Sequence, residues 1–458
     1  MKISYPISFS RNLFVIPVGK EFSLPDDEVL LLYSPFARRC TLIGRDVAEQ
    51  LEAMLRGAEP SPEIRSLYDA MYRDAESQLA KSRIFHPDDY IRMSILPTFK
   101  CNFACSYCYS RHGRKNQTIT IDLLRRGIDY FLRPGRSSSK FVLFISGGGE
   151  PLMAWEQLKY AVEYSRAKAA ENQYDLEIME ICNGSCITEE IIDFLKSSRV
   201  NICISFEILE QLQNVHRGHY SQVKRNILLM MERGLIPSFN ATITPRSVNL
   251  MSDMILEAAK TFPAVRNIMF EPMTAHDGFS SLSEMTIFYS DFLREFPRAE
   301  ATAEQVGISL NTSILDDFNR TAERHCQGKL CLTPNGDFTI CNCASSPEEK
   351  RFRKCCYGKI GESSGVEFDQ SKFSGLMKVN LYSNPRCGEC FAKWHCAGGC
   401  MSKTDAYSSE EMDVYCNYYR SHIKLLLLGD LDRQIRKSAG CGLEEFIRRH
   451  FCGEAAKK

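Results

Sequence analysis

Two rhythms of apolar and polar positions run along this chain, and they change over near residue 90. Before that point, Leu13–Val18 and Val29–Tyr33 are short runs of branched apolar residues, the pattern of strands. Asp46–Leu55 (DVAEQLEAML) has the spacing of an amphipathic helix. Pro60-Ser61-Pro62 punctuates the chain, and a second helix is predicted from Glu63 to about Lys81. From about 91 the pattern becomes an alternation. Strands are predicted at Arg92–Leu96, Phe141–Ser146, Glu177–Cys182, Ile202–Phe206, Ser238–Thr244 and Asn267–Glu271. Helices are predicted between or after them, at Asp122–Leu132, Trp155–Ala170, Glu189–Ser197, Ser221–Arg233 and Asn249–Lys260. Six β/α units favour a parallel sheet with right-handed crossovers. The expected fold is α/β, a partial (β/α)6 barrel over residues 91–315, open on one side for a large substrate. A cysteine-rich region follows over 316–420, then a helical tail over 421–458.

The chain is long enough for two or three domains, and its 44% hydrophobic and 25% charged residues are ordinary for a globular protein. Its formal net charge of zero speaks against a general electrostatic grip on nucleic acid. The longest apolar stretches, such as Leu425–Leu428, are much too short to span a bilayer. The opening residues, MKISYPISFSRNLF, have no long apolar run and no small-residue cleavage site, so a cytoplasmic location is expected. Against that background the twenty cysteines point to metal or clusters rather than disulfides.

The most specific signal is Cys101, Cys105 and Cys108 in CNFACSYC, with Tyr107 just before the third cysteine. Three thiolates are one too few for a [4Fe–4S] cubane, so one iron is left for an outside ligand. The alternative is a zinc loop or unrelated thiols. The motif resembles that of the radical S-adenosylmethionine (SAM) superfamily. The resemblance implies that the open iron chelates SAM, and that reductive cleavage gives a 5′-deoxyadenosyl radical which takes a hydrogen atom from substrate. It also implies an electron donor of the flavodoxin or ferredoxin type.

Other loops fit the same resemblance. Gly148, Gly149, Glu150 and Pro151, after the second barrel strand, resemble the family's GGEP motif near the SAM amino group. Asn183-Gly184 resembles its Asn-Gly turn. Ser205 matches a serine near the SAM ribose or carboxylate, although Glu207 and Ile208 replace the Asp-Gly that usually follows. Arg217, in His216-Arg217-Gly218, is the implied partner of the SAM carboxylate, a task suited to a guanidinium fork. Each of these has a plainer alternative as a turn or a structural residue.

The C-terminal third holds a second array. Cys326, Gly336 and Cys341 are followed by Cys387-x2-Cys390-x5-Cys396-x3-Cys400 and then Cys416. The array resembles the seven-cysteine SPASM extension of radical SAM enzymes, which implies two auxiliary [4Fe–4S] clusters and three clusters in all. By the resemblance, Cys326, Cys341 and Cys400 hold auxiliary cluster I, and Cys387, Cys390, Cys396 and Cys416 hold auxiliary cluster II. Cys331 is the expected fourth ligand of cluster I, with Cys343, Cys355 and Cys356 as rivals. Two zinc sites are the alternative, because C-x2-C is also zinc spacing. Cys182 and Cys203, in predicted strands, read as core residues, and Cys441 and Cys452 have no assigned role.

SPASM enzymes act mostly on peptides and proteins, and many such enzymes carry a winged-helix-like leader-recognition module at the N-terminus. Residues 1–90 resemble one. The expected function is therefore a maturase of a ribosomally made precursor peptide, an oxidoreductase by class, with no nucleic-acid or membrane partner. Sulfatase-type maturases are an alternative, but they carry an aspartate base after the second array cysteine, where this chain has Asn342. A small-molecule radical SAM dehydrogenase and a redox scaffold without SAM chemistry are the others. Glu271 and Tyr109 are the candidate acid, base or hydrogen donors.

Overall fold

A computed structural model describes residues 7–10, 12–25, 28–72, 79, 84–274, 278–326, 328–361 and 365–451. The N-terminal module is an antiparallel meander of β1 (Ile7–Ser10), β2 (Leu13–Pro17), β3 (Leu30–Ser34) and β4 (Arg39–Ile43). Helices Arg45–Leu55 and Pro62–Met71 follow, the second capped by Ser61, whose side chain accepts from the Ile64 amide. Both faces of the meander are buried, which is why β2 and β3 are continuously apolar. Leu13, Val15, Leu30 and Leu32 pack under the two helices with Ala48, Leu51, Ile64 and Met71. Phe14, Ile16, Leu31 and Tyr33, on the opposite face, join the main core. The winged-helix-like expectation is met only as far as short strands followed by helices: four strands precede the helices where the pattern marks two. The continuation expected to about Lys81 lies largely outside the described residues.

The barrel strands follow the expected order. They are β5 (Arg92–Ile95), β6 (Lys140–Ile145), β7 (Asp175–Cys182), β8 (Val200–Ser205), β9 (Ser238–Ile243) and β10 (Asn267–Pro272), each parallel to its neighbour. A further parallel strand, β11 (Ser309–Asn311), extends the edge beyond β10 after the long helix Leu282–Gln305. The crossover helices run Ile121–Phe131, Trp155–Glu171, Glu189–Ser197, Tyr220–Glu232 and Met251–Thr261. Alternate residues of each strand face the helices. In β8, Val200, Ile202 and Ile204 are buried, while Asn201, Cys203 and Ser205 lie on the other, more open face.

The cysteine-rich region continues the barrel sheet. β12 (Leu330–Leu332) pairs in parallel with β5 at its free edge, and β13 (Asp337–Thr339), β14 (Cys356–Ile360) and β15 (Val366–Phe368) add to it antiparallel. The helix Ser409–Ala439 starts from a Ser408–Glu411 capping box and ends at Gly440 in the left-handed region. It carries Cys416 and runs straight through residue 420, so the expected tail is the second half of one helix. Tyr418 on it stacks on Tyr289 of the Leu282–Gln305 helix, with ring centroids 4.3 Å apart. Among the described residues no helix is long and apolar enough to cross a membrane.

Candidate iron–sulfur and cofactor site

The three-cysteine loop leaves the C-terminal end of β5, the edge where parallel sheets of this kind gather their chemistry. Burial pushes the Cys101 and Cys105 thiols up, and Cys101, Cys105 and Cys108 lie close enough to act on one another electrostatically. Several contacts pin the loop. The Ser106 amide donates to the His216 carbonyl at 3.0 Å. The Ser106 hydroxyl is hydrogen-bonded to His216 Nδ1 at 2.9 Å, and His216 Nε2 to Thr244 Oγ1 at 3.1 Å. Phe103 stacks on His219, 4.7 Å between centroids. Arg114 Nη2 donates to Cys108 Sγ at 3.1 Å.

The glycine loop is laced to this one. The Gly149 amide donates to the Thr98 carbonyl at 2.9 Å and the Glu150 amide to the Lys100 carbonyl at 2.7 Å. A Cβ on Gly149 would lie 1.9 Å from the Lys100 carbonyl oxygen, so no other residue fits there. Gly148 has a φ of +71° and packs over Thr98 and Phe99. The Glu150 carboxylate is turned inward, where it accepts from the Asn183 amide at 2.8 Å and the Leu152 amide at 3.2 Å. Asn183 in turn donates to Asn102 Oδ1 at 2.9 Å, and Asn102 donates to Ser185 Oγ at 2.8 Å. Cluster loop, glycine loop and Asn-Gly turn are thus one hydrogen-bonded unit.

Ser205 ends β8 on the open face, beside Asn240 of β9. Arg217 Nε donates to the Tyr107 hydroxyl at 2.7 Å and to Glu207 Oε1 at 3.2 Å, and Tyr107 donates to the same carboxylate oxygen. Glu271 is already engaged: it accepts from the Ser313 amide at 2.6 Å and from its hydroxyl at 2.8 Å, holding the start of a short helix. Tyr109 is different. It is 53% exposed, and its ring is within electrostatic reach of Cys108 on one side and of Cys331, Cys341 and Cys343 on the other. A Cβ at Gly147 would sit 3.2 Å from its hydroxyl and 3.3 Å from Asn342.

The second array also gathers in space. Cys387, Cys390, Cys396 and Cys416 line one cavity together with Arg386, Lys393 and Arg420, whose positive charges suit an anionic cluster. Cys326 has Cys341 and Cys400 as charge neighbours. Cys343 lies against Cys341, its amide donating to Cys341 Sγ at 3.3 Å, and it also feels Cys400. Hydrogen bonding from Cys343 holds the Cys341 thiol below its ordinary range. Cys331 is fully buried in β12 and donates to Asn342 Oδ1 at 3.2 Å. Cys355 is buried, Cys356 bonds back toward the Gly358 carbonyl, and Cys452 lies outside the described residues. Thiol sets of three and of four, each converging from separate segments, are the donor chemistry that iron–sulfur clusters require. Sequence reasoning gave no role to Asn102, Arg114, Glu207 or His216, because their meaning lies in contacts between loops far apart in the chain.

Residues 95–255 match the Radical SAM superfamily model, and the chain carries a radical SAM domain. It is 21% identical over 403 residues to the radical SAM cyclopropyl synthase TigE of Paramaledivibacter caminithermalis, covering 78% of each chain. In fold it is similar to anSMEcpe with bound AdoMet, with a TM-score of 0.59 at 15% identity, over 73% of this chain and 97% of that one. It is also similar to Streptococcus suis SuiB bound to its precursor peptide SuiA, with a TM-score of 0.52 at 13% identity, over 88% and 97%.

Proposed function

We propose that the protein is a radical SAM maturase that oxidatively modifies a ribosomally made precursor peptide, using one SAM-binding and two auxiliary [4Fe–4S] clusters. The observation that carries this reading is the joining of three parts. A three-thiol loop leaves the C-terminal end of β5, two further thiol sets gather in the cysteine-rich region that continues the sheet, and a separate N-terminal module is seated on the domain that holds them. The name of the similar cyclopropyl synthase and the peptide-bound neighbours support the same reading.

In this reading Cys101, Cys105 and Cys108 hold the first cluster, and Gly148, Gly149, Asn183, Ser205, Tyr107 and Arg217 surround SAM. Cys326, Cys341 and Cys400 hold auxiliary cluster I. We take Cys343, in place of Cys331, as its fourth ligand, since Cys343 lies against Cys341 while the Cys331 thiol is turned to Asn342. Cys387, Cys390, Cys396 and Cys416 hold auxiliary cluster II. When bound and reduced, the first cluster with SAM supplies a 5′-deoxyadenosyl radical that removes one hydrogen atom from the peptide. The chain's own residues do the rest. Glu150 and Asn183 fix the loops that fit SAM. Glu207 aims Arg217. Tyr109 and Asn342 stand between the two thiol sets; a cluster held by Cys326, Cys341 and Cys400 would supply an electron acceptor there, and the accompanying proton would leave the peptide to solvent. The net change is the loss of two hydrogens, which forms a ring or cross-link. Asn342 cannot serve as the carboxylate base of the sulfatase reading.

The test is anaerobic incubation of the reconstituted enzyme with SAM, a low-potential reductant and a precursor peptide encoded beside its gene. The expected products are 5′-deoxyadenosine and a peptide lighter by two hydrogens. Peptide-independent SAM cleavage with no mass change for any such peptide would overturn the reading.

A further inference from the structure

We propose that Arg114 sets the reduction potential of the cluster held by Cys101, Cys105 and Cys108, through a charged N–H···S hydrogen bond to Cys108. The proposal rests on the cluster assignment above and adds a residue that no motif of the loop includes.

The chain behind the third cysteine makes one tight turn, Arg111–Gly113, which sends Arg114 back over the loop it has just left. Gly113 lets this turn pack closely against a neighbouring segment: a Cβ there would lie 2.6 Å from the Ser346 side chain and 2.9 Å from a Glu349 carboxylate oxygen. Arg114 then spans the loop. One terminal nitrogen donates to the Phe103 carbonyl and the other to Cys108 Sγ at 3.1 Å. Among the described residues no carboxylate forms an ion pair with it, so its charge is left to the sulfurs. All three motif thiols act on it as negative neighbours, Cys108 most. Arg217 adds positive charge from the side of Cys105, and Glu150 negative charge from the side of Cys101.

Reducing the cluster adds one electron, supplied by a low-potential flavodoxin- or ferredoxin-type donor, and spreads the charge over iron and sulfur. A cationic donor bonded to a ligating sulfur stabilises that added charge, and hydrogen bonds to the sulfurs are a main lever on such potentials. Arg114 therefore makes the cluster easier to reduce. Arginine suits this place better than lysine, because one planar fork serves the carbonyl and the sulfur together.

The experiment uses the full chain, anaerobically reconstituted, as wild type and as Arg114→Lys, Arg114→Gln and Arg114→Leu. Iron content is measured first. The midpoint potential is then read by electron paramagnetic resonance from the signal that responds to SAM. The expected result is unchanged iron with a midpoint displaced to more negative potential, least in the Lys variant and most in the Leu variant. SAM cleavage driven by a weak reductant should fall more than cleavage driven by a strong one. An unchanged midpoint at full iron would overturn the proposal. So would loss of this cluster's iron in all three variants, which would make Arg114 a latch for the loop alone. A wild type lacking any SAM-responsive signal would instead sink the cluster reading beneath it.

Discussion

Arg217 and Glu207 form an ion pair with Nε 3.2 Å from Oε1, the carboxylate fully buried and the guanidinium nearly so. The Tyr107 hydroxyl lies between them, accepting from Arg217 and donating to Glu207. Glu207 is one of the positions where the chain departs from the pattern it resembles, and the ion pair explains what the replacement does. It turns a residue of β8's trailing loop into the anchor for an arginine ten positions later. Both contacts fall on Nε, and among the described residues no hydrogen bond to the terminal nitrogens of Arg217 is seen, which is consistent with the proposed role toward the SAM carboxylate.

Replacing Glu207 with Gln keeps the shape and removes the charge. SAM affinity is expected to weaken roughly tenfold, about 1.4 kcal/mol, because Arg217 is no longer held in one orientation. Glu207→Ala should be worse, on the order of 3–5 kcal/mol in stability, since it leaves a buried cation unpaired. Titration of SAM into the reconstituted variants measures the first effect, and an unchanged dissociation constant in Glu207→Gln would sink it.

How much of this was legible in the sequence differs from element to element. All six barrel strands and five of their helices lie within two residues of the predicted positions, since helix-facing residues recur at a period of two in strands such as β8. The strand β11, three residues long, has too little pattern to register. β4 (RCTLI) carries polar residues through a sheet edge, so its period is masked. The site splits along the same line. Cysteine spacing is local and survives in one dimension. The tie of Glu150 to Asn183, of Asn102 to Ser185 and of Arg114 to Cys108 depends on which loops meet at the sheet edge, which spacing does not record. Glu271, chosen for its place at a strand end, faces Ser313 on a segment that the pattern did not mark.

The proposed auxiliary cluster I gives a sharp comparison. Cys343→Ala should remove about four irons or strongly perturb that cluster's spectrum, because its thiol lies against Cys341. Cys331→Ala removes only a buried thiol that donates to Asn342 and should leave iron unchanged. Iron loss in the Cys331 variant, with Cys343 silent, would restore the first assignment.

Glu150, Glu180 and Cys182 bring their ligand atoms within 4.8 Å of one another in a fully buried cluster. Neither oxygen of Glu180 has a partner among the described residues. Burial pushes Glu150 up to about 7 and raises Glu180 well above the usual carboxylate range, with Glu150 adding to it. The folded protein thus keeps protons that the unfolded chain gives up above about 4.5. Each such group lowers stability by about 1.4 kcal/mol per pH unit between its unfolded and folded pKa. Glu180→Gln is expected to raise the melting temperature at pH 8 and to change it little at pH 5. Equal shifts at the two pH values would show that Glu180 does not titrate in this way.

The N-terminal module is a structural wall as well as a candidate recognition element. Tyr33 of β3 is hydrogen-bonded through its hydroxyl to His395, the neighbour of Cys396, and Phe36 meets Trp394 edge to face at 4.7 Å. Phe14, Ile16 and Leu31 are fully buried on the same face. Deleting residues 1–84 would expose the apolar surface that this face covers, beside the proposed site of auxiliary cluster II, so a truncated enzyme is expected to aggregate or lose about four of its irons. A test of the wall itself uses a gentler change. Tyr33→Phe leaves the His395 nitrogen unpaired in a buried site, at a cost of about 1–3 kcal/mol. It should lower thermal stability and make the auxiliary iron easier to extract with a chelator, while SAM cleavage without peptide stays at its wild-type rate. A truncated protein that remains monodisperse with full iron would show that the face is no wall, and the module could then be assayed for peptide binding by deletion alone.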